Sequence, residues 1–192
     1  MPQPVPELKR ALRKEMIAKR EALSSIFRKQ AGEKIAKAGV PVAVAPGSVV
    51  SGWFAMGAEL DPMPLMTKLH AMGARLALPA IVEGKLIFRA WTPGEVLTRA
   101  GFGTSEPDKS APQLDPDIVL TPLLAFDPKG YRLGYGKGHY DGGLTRLRAT
   151  KKVTAIGLAF DEQCVEKVPV EPHDQRLDYV ITENGIRFAG TS

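Results

Sequence analysis

The chain has 192 residues, of which 44% are hydrophobic and 24% charged, with a formal net charge of +5. That length and balance suit one soluble domain with a sizeable core and exclude a low-complexity chain. No apolar run approaches the roughly 18 residues of a membrane span, and a single cysteine, Cys164, excludes an internal disulfide.

Two helices are expected first. Leu8, Leu12 and Met16 recur four residues apart, and Leu23, Phe27, Ala31 and Ile35 continue the stripe. The helix should break near Ser24-Ser25, where a serine can cap the second segment. Pro2, Pro4 and Pro6 precede it and predict a short flexible lead over residues 1–6, with no apolar signal-peptide core. Residues 1–37 hold ten Lys/Arg against four Glu. These cations are spread around the helix without interleaved aromatics. That favours a solvated face with some cations aimed at a phosphate over nucleic-acid contact. Lys9 and Arg13 fall one turn apart on one face.

Val49 to Phe54 is short, apolar and β-branched, which predicts a buried strand. Asp61-Pro62 should open a helix through Met72 that stops at Gly73. Arg75 to Val82 and Lys85 to Trp91 predict a hairpin about Glu83-Gly84. Residues 93–116, rich in proline, glycine and charge, predict a long loop of the kind that is often functional. Ile118 to Leu124 is a strand, Tyr140 to Thr150 a helix, Thr154 to Phe160 a strand and Glu162 to Lys167 a short helix ended by Pro169. Tyr179 to Thr182 and Ile186 to Phe188 close the sheet. Strands alternating with helices predict an α/β chain. The expected form is one three-layer, Rossmann-like domain over residues 1–192 with a largely parallel central sheet.

The strand at 118–124 feeds a loop with Gly134, Gly136 and Gly138, beside Arg132 and Lys137 and ending at Asp141. Glycines let backbone N–H groups converge on an anion without interference from Cβ. No Gly-Lys-Ser/Thr closes the loop, and its G-x-G-x-G spacing is not the dinucleotide fingerprint G-x-G-x-x-G. By spacing alone it reads as a phosphate cradle or as a turn. The density of Arg132, Lys137, Tyr140 and Asp141 favours the cradle, and the helix N-terminus facing it suits phosphate.

Other residues carry two readings each. Asp141 suits Mg²⁺ or simply a helix dipole. Asp174 by itself reads as a loop acid. Glu59 follows a strand and precedes a helix, where α/β folds place ligands, but that position is also commonly solvated. Phe54 can pack on a ligand ring or in the core. Trp91 and Phe102 flank the long loop, and Phe102, set between glycines, is the better stacking platform. His70 and His173 read as surface residues without zinc-ligand spacing. Cys164 reads as a small packing residue, and a lone thiol fits a reducing cytoplasm.

Pro122-Leu-Leu-Ala-Phe-Asp127 followed by Arg132-Leu-Gly-Tyr-Gly-Lys-Gly-His-Tyr-Asp141 resembles the signature of the 5-formyltetrahydrofolate cyclo-ligase (methenyltetrahydrofolate synthetase) family. Lys9-Arg-Ala-Leu-Arg13 resembles that family's N-terminal Lys-x-x-Leu-Arg, and Glu59-Leu-Asp61 its acidic motif. Val168-Pro, His173-Asp174 and Leu177-Asp178-Tyr-Val-Ile-Thr182 resemble its C-terminal end. The blocks run in family order over nearly the whole chain. His139 stands where many members have tyrosine, and Gly142-Gly143 where a basic residue often follows the aspartate.

The resemblance implies an enzyme that uses ATP and Mg²⁺ on a reduced folate, 5-formyltetrahydrofolate. It assigns Arg13, Arg132 and Lys137 to catalysis. It assigns Lys9, Arg10, Arg13, Arg132, Gly134, Tyr135, Gly136, Lys137, Gly138, His139 and Tyr140 to the nucleotide. Phe54, Glu59, Phe102, Tyr135 and His139 fall to the folate, and Asp141 and Asp174 to the metal. The expected state is a cytoplasmic monomer or weak homodimer without nucleic-acid or membrane partners. Two competitors stand beside it: another ATP- or CoA-dependent enzyme on a similar sheet, and a nucleic-acid-binding module built on the basic N-terminus.

Overall fold

Short apolar runs become strands because their two faces are both covered. The computed structural model describes residues 4–101 and 104–190. Its main sheet contains β1 (Val49–Ser51), β2 (Arg75–Val82), β3 (Lys85–Ala90), β6 (Ile118–Thr121), β9 (Thr154–Leu158), β10 (Tyr179–Thr182) and β11 (Gly185–Ala189). Two small pairs lie outside it: β4 (Thr98–Arg99) with β5 (Ser105–Glu106), and β7 (Ala125–Phe126) with β8 (Arg132–Leu133). The main sheet runs in the order β11-β10-β9-β6-β1-β2-β3. Its five inner strands are parallel, and the edge strands β3 and β11 are antiparallel hairpin partners.

Successive residues of each inner strand face opposite layers, as the period of two requires. Val50, Leu76, Leu78, Ile118, Leu120 and Ile156 pack under α2 (Ser25–Ala38) and α3 (Met63–Ala71). Val49, Ala77, Val119 and Ala155 pack under α4 (His139–Arg148) through Leu144 and Leu147. The result is the expected three-layer α/β arrangement. The fourth helix, α1 (Val5–Ala22), seats Met16 against Leu124, Leu133 and Val168, beside the β7–β8 pair. No helix among the described residues is long and apolar enough to cross a membrane.

Local chemistry explains the helix ends. Ser24 accepts from the Phe27 N–H at 3.1 Å and caps α2. Asp61 accepts from the Met63 N–H at 2.9 Å and opens α3.

Several expected boundaries shift. The expected strand 49–54 ends at Ser51, and 118–124 ends at Thr121. Both chains leave the sheet there to line a cleft, so tertiary demand overrides their β propensity. The expected helix 162–167 is only a 3-10 turn, Asp161–Gln163. Gln163 is buried there, accepting from the Phe160 N–H and donating to the Leu123 and Leu124 carbonyls. The expected loop 93–116 contains the β4–β5 hairpin. Cys164 is exposed rather than packed.

Candidate active site

From β1 the chain passes through α3 to β2 on one side, and from β6 through α4 to β9 on the other. β1 and β6 are neighbours, so the connections diverge between them. That is the switch point where open α/β sheets leave a crevice beyond the strand ends. A cleft of about 950 Å³ lies there. Trp53, Phe54 and Glu59 after β1, Pro122 after β6, and the glycine loop with the start of α4 all line it. So do Lys9 and Arg13 of α1, the β2–β3 hairpin, the β4–β5 hairpin and the segment carrying Glu171, His173 and Asp174.

The glycine loop is held from α1. Arg13 Nε donates to the Gly134 carbonyl at 2.8 Å. A Cβ on Gly136 would come within 3.0 Å of the Arg13 guanidinium carbon, and this residue adopts φ +98°. Gly138 caps α4 at φ +67°. Both conformations favour glycine, so these two positions are set by backbone geometry as well as by any ligand.

Lys9 is buried, which would lower its pKa. Its bonds to Asp174 (2.6 Å) and Glu171 (2.7 Å) outweigh that and raise it. Burial likewise pushes the Asp174 carboxyl up, but the Lys9 bond and the Glu171 N–H hold it below its ordinary value. Arg132 is buried; it donates to Asp141 at 3.0 Å and to the Gln175 carbonyl at 2.7 Å. Burial pulls its guanidinium down, and the Asp141 charge opposes that pull. The same Asp141 oxygen accepts from the Gln175 N–H at 2.9 Å. The first turn of α4 is thereby tied to the C-terminal segment.

The opposite wall is aromatic and acidic. Glu59 is buried and accepts from the Met56 N–H at 3.0 Å. Phe54 is 38% exposed and stands edge-on to Trp91, centroid to centroid 5.5 Å. Trp91 is buried, its Nε1 donating to the Glu95 carbonyl, so it backs Phe54 rather than facing a ligand. The Tyr140 hydroxyl is buried without a hydrogen-bond partner among the described residues. Burial, then the Glu59 charge, raises its pKa, with Arg132 opposing.

Of the residues expected at a site, Lys9, Arg13, Phe54, Glu59, Arg132, Gly134 through Asp141 and Asp174 line one cleft. Arg10 does not: it is exposed on α1 and absent from the cleft lining, because one helical position turns it away from Lys9. Phe102 lies outside the described residues. The basic residues of α1 also need correction. Lys9 and Arg20 are buried, and with Arg13 and Met16 they fall on one stripe at spacings of four, three and four. Sequence reasoning passed over Arg20, Trp53 and Glu171. The i+7 spacing of Arg20 from Arg13 was the available signal.

The residues present fit a divalent cation. Glu171, His173 and Asp174 each offer a ligand atom, all within 4.8 Å of one another. Hard carboxylate oxygens suit Mg²⁺, and the Lys9 ammonium, bonded to both carboxylates, would share them with such an ion. Asp141 is outside that group but lines the same cleft.

Fold and cleft define the class: an α/β enzyme with a cationic glycine loop at a topological switch point. The model of the 5-formyltetrahydrofolate cyclo-ligase family matches residues 5–183. The chain belongs to that family. It is 35% identical over 144 residues to the Escherichia coli K12 protein named 5-formyltetrahydrofolate cyclo-ligase, covering 71% of this chain and 79% of that one. The Mycolicibacterium smegmatis protein of the same name is 34% identical over 148 residues, covering 71% and 74%. Among solved structures, the Aquifex aeolicus 5,10-methenyltetrahydrofolate synthetase matches with a TM-score of 0.77 at 30% identity, over 94% of this chain and 92% of that one.

Proposed function

We propose that the chain closes 5-formyltetrahydrofolate to 5,10-methenyltetrahydrofolate, using ATP with Mg²⁺ and releasing ADP and phosphate. One observation carries this reading: a single cleft joins the Glu59–Phe54 wall to the cationic glycine loop. Glu59 suits the amino-pyrimidine edge of a pterin through paired hydrogen bonds, and Phe54 offers a ring face beside it. The loop N–H groups, Arg13, Arg132 and Lys137 suit a polyphosphate.

The formyl oxygen attacks the γ-phosphorus and the bond to ADP breaks. The formyl carbon now carries a phosphate leaving group. N10 attacks that carbon, and phosphate departs with the former formyl oxygen and the N10 proton. Such transfer depends on positioning and charge stabilisation rather than on a covalent nucleophile. Asp141 and Asp174 would hold Mg²⁺, which neutralises phosphate charge when bound. Lys9 steadies Asp174, and Arg132 steadies Asp141. The reading takes residues 1–192 as one domain, acting in the cytoplasm as a monomer or weak homodimer.

The test mixes protein, ATP, Mg²⁺ and 5-formyltetrahydrofolate and follows methenyltetrahydrofolate by its near-ultraviolet absorbance. ATP-dependent growth is expected. Asp141→Asn, which keeps an acceptor for Arg132, should slow it by about a hundredfold or more. Folded protein that binds ATP but turns over no folate would sink the folate assignment.

A further inference from the structure

A buried arginine without a carboxylate partner is costly, and α1 contains one. Arg20 is 6% exposed. It makes no ion pair among the described residues, and its Nε has no hydrogen-bond partner there. An apolar side chain would fill this helix face with less penalty. What Arg20 does touch is the glycine loop. Its Nη2 donates to the Tyr135 hydroxyl, and its guanidinium lies 5.6 Å from the centroid of the Tyr135 ring. The bond to the hydroxyl and the guanidinium beside the hydroxyl end of the ring fix the tip of one side chain.

Tyr135 sits between Gly134 and Gly136 and lines the cleft with Glu59. Glu59 acts on the same hydroxyl that Arg20 holds. Two turns earlier on the same stripe, Arg13 grips the Gly134 carbonyl. The two arginines thus divide the work: Arg13 fixes the loop backbone, and Arg20 fixes the side chain the loop extends toward the acidic wall.

We propose that Arg20 is a positioning residue for the folate side of the cleft, holding the Tyr135 ring beside Glu59. The inference rests on the folate reading above. Arg20 is not a lining residue of the cleft, so it acts through Tyr135 alone. Its loss weakens folate binding and leaves nucleotide binding in place, because Arg13 keeps the loop backbone.

The test is a double-mutant cycle on the full chain with Arg20→Gln, Tyr135→Phe and the pair, measuring kcat and KM for 5-formyltetrahydrofolate and for ATP. Each single variant should raise KM for the folate about tenfold, the loss of one hydrogen bond to a charged group, and Arg20→Gln should keep KM for ATP within about twofold. The double variant should be no worse than Tyr135→Phe alone, since Arg20 acts only through the hydroxyl that variant removes. Arg20→Lys should restore folate KM partly, by keeping the charge without the planar fork. Multiplying effects, or equal rises in both KM values with Arg20→Gln, overturn the proposal. If Arg20→Gln fails to fold, Tyr135→Phe still decides: an unchanged folate KM overturns it. A wild type without folate turnover overturns the reading beneath and this inference with it, whereas an active wild type with unaffected variants overturns the inference alone.

Discussion

Asp117 shows how much of this fold turns on single polar side chains. It precedes β6, accepts from the Val49 N–H at 2.8 Å and pairs with Lys151 at 2.5 Å. One carboxylate therefore ties the starts of two neighbouring strands. Burial pushes its pKa up, but the Lys151 bond and the Val49 N–H outweigh that and hold it below the usual carboxylate value. A carboxyl depressed on folding adds stability at pH values above its unfolded pKa and loses it as pH falls through the folded one. Asp117→Asn should therefore cost about 1 kcal/mol at neutral pH, a modest figure because the pair is partly exposed. Its stability curve should converge on that of the wild type as pH falls from about 4 through the folded pKa. Denaturant melts from pH 3 to pH 7 check this; parallel curves would remove Asp117 from the acid response. Asp127 has a similar local task, accepting from the Lys129, Tyr131 and Val168 N–H groups. Its place in a family-like motif therefore has a structural cause as well as a functional context.

At the scale of elements, the break between α1 and α2 was legible because it is local chemistry. Ser24 adopts an extended backbone and its side chain accepts from Phe27. Ser24→Ala should cost about 1 kcal/mol and lower Tm by about 2–4 °C in a domain of this size. A calorimetric scan that shows no shift would mean α2 is held by packing alone. Element ends next to the cleft were less legible. Trp53, Phe54, Leu123 and Leu124 are apolar side chains that extend each strand pattern, yet the main sheet releases both segments. Pro122 cannot donate to a ladder, which offered a hint. Gly52 offered a second, since glycine weakens a strand interior; the structure shows a further cause, as a Cβ there would lie 2.1 Å from the Met66 sulfur.

At the scale of the whole molecule, the cleft draws on α1, the switch point, two hairpins and the C-terminal segment. Ligands that bridge these parts should stabilise them together. At a hundredfold excess over Kd, a ligand bound only by the folded state adds about 2.7 kcal/mol. For this chain length that means a Tm rise of about 5–10 °C. ATP with Mg²⁺ should give such a shift, and chelating the metal should remove most of it. A shift unchanged by chelation would argue against metal-assisted nucleotide binding at Asp141 and Asp174.

The α/β class, the helix breaks and the glycine loop followed from sequence because their signals are short-ranged. Periods of 3.6 and 2 residues, a capping serine and a contiguous ten-residue motif need no knowledge of distant partners. The site's electrostatics depended on the tertiary structure. Lys9 meets Asp174 across 165 positions, Arg20 meets Tyr135 across 115, and Asp141 meets the Gln175 N–H across 34. Helical spacing puts Lys9 and Arg20 on one stripe and turns Arg10 off it, but no local rule says which stripe is buried. Only the seating of α1 against the β7–β8 pair decides which cations leave water, and with that which carboxylates and which loop they hold.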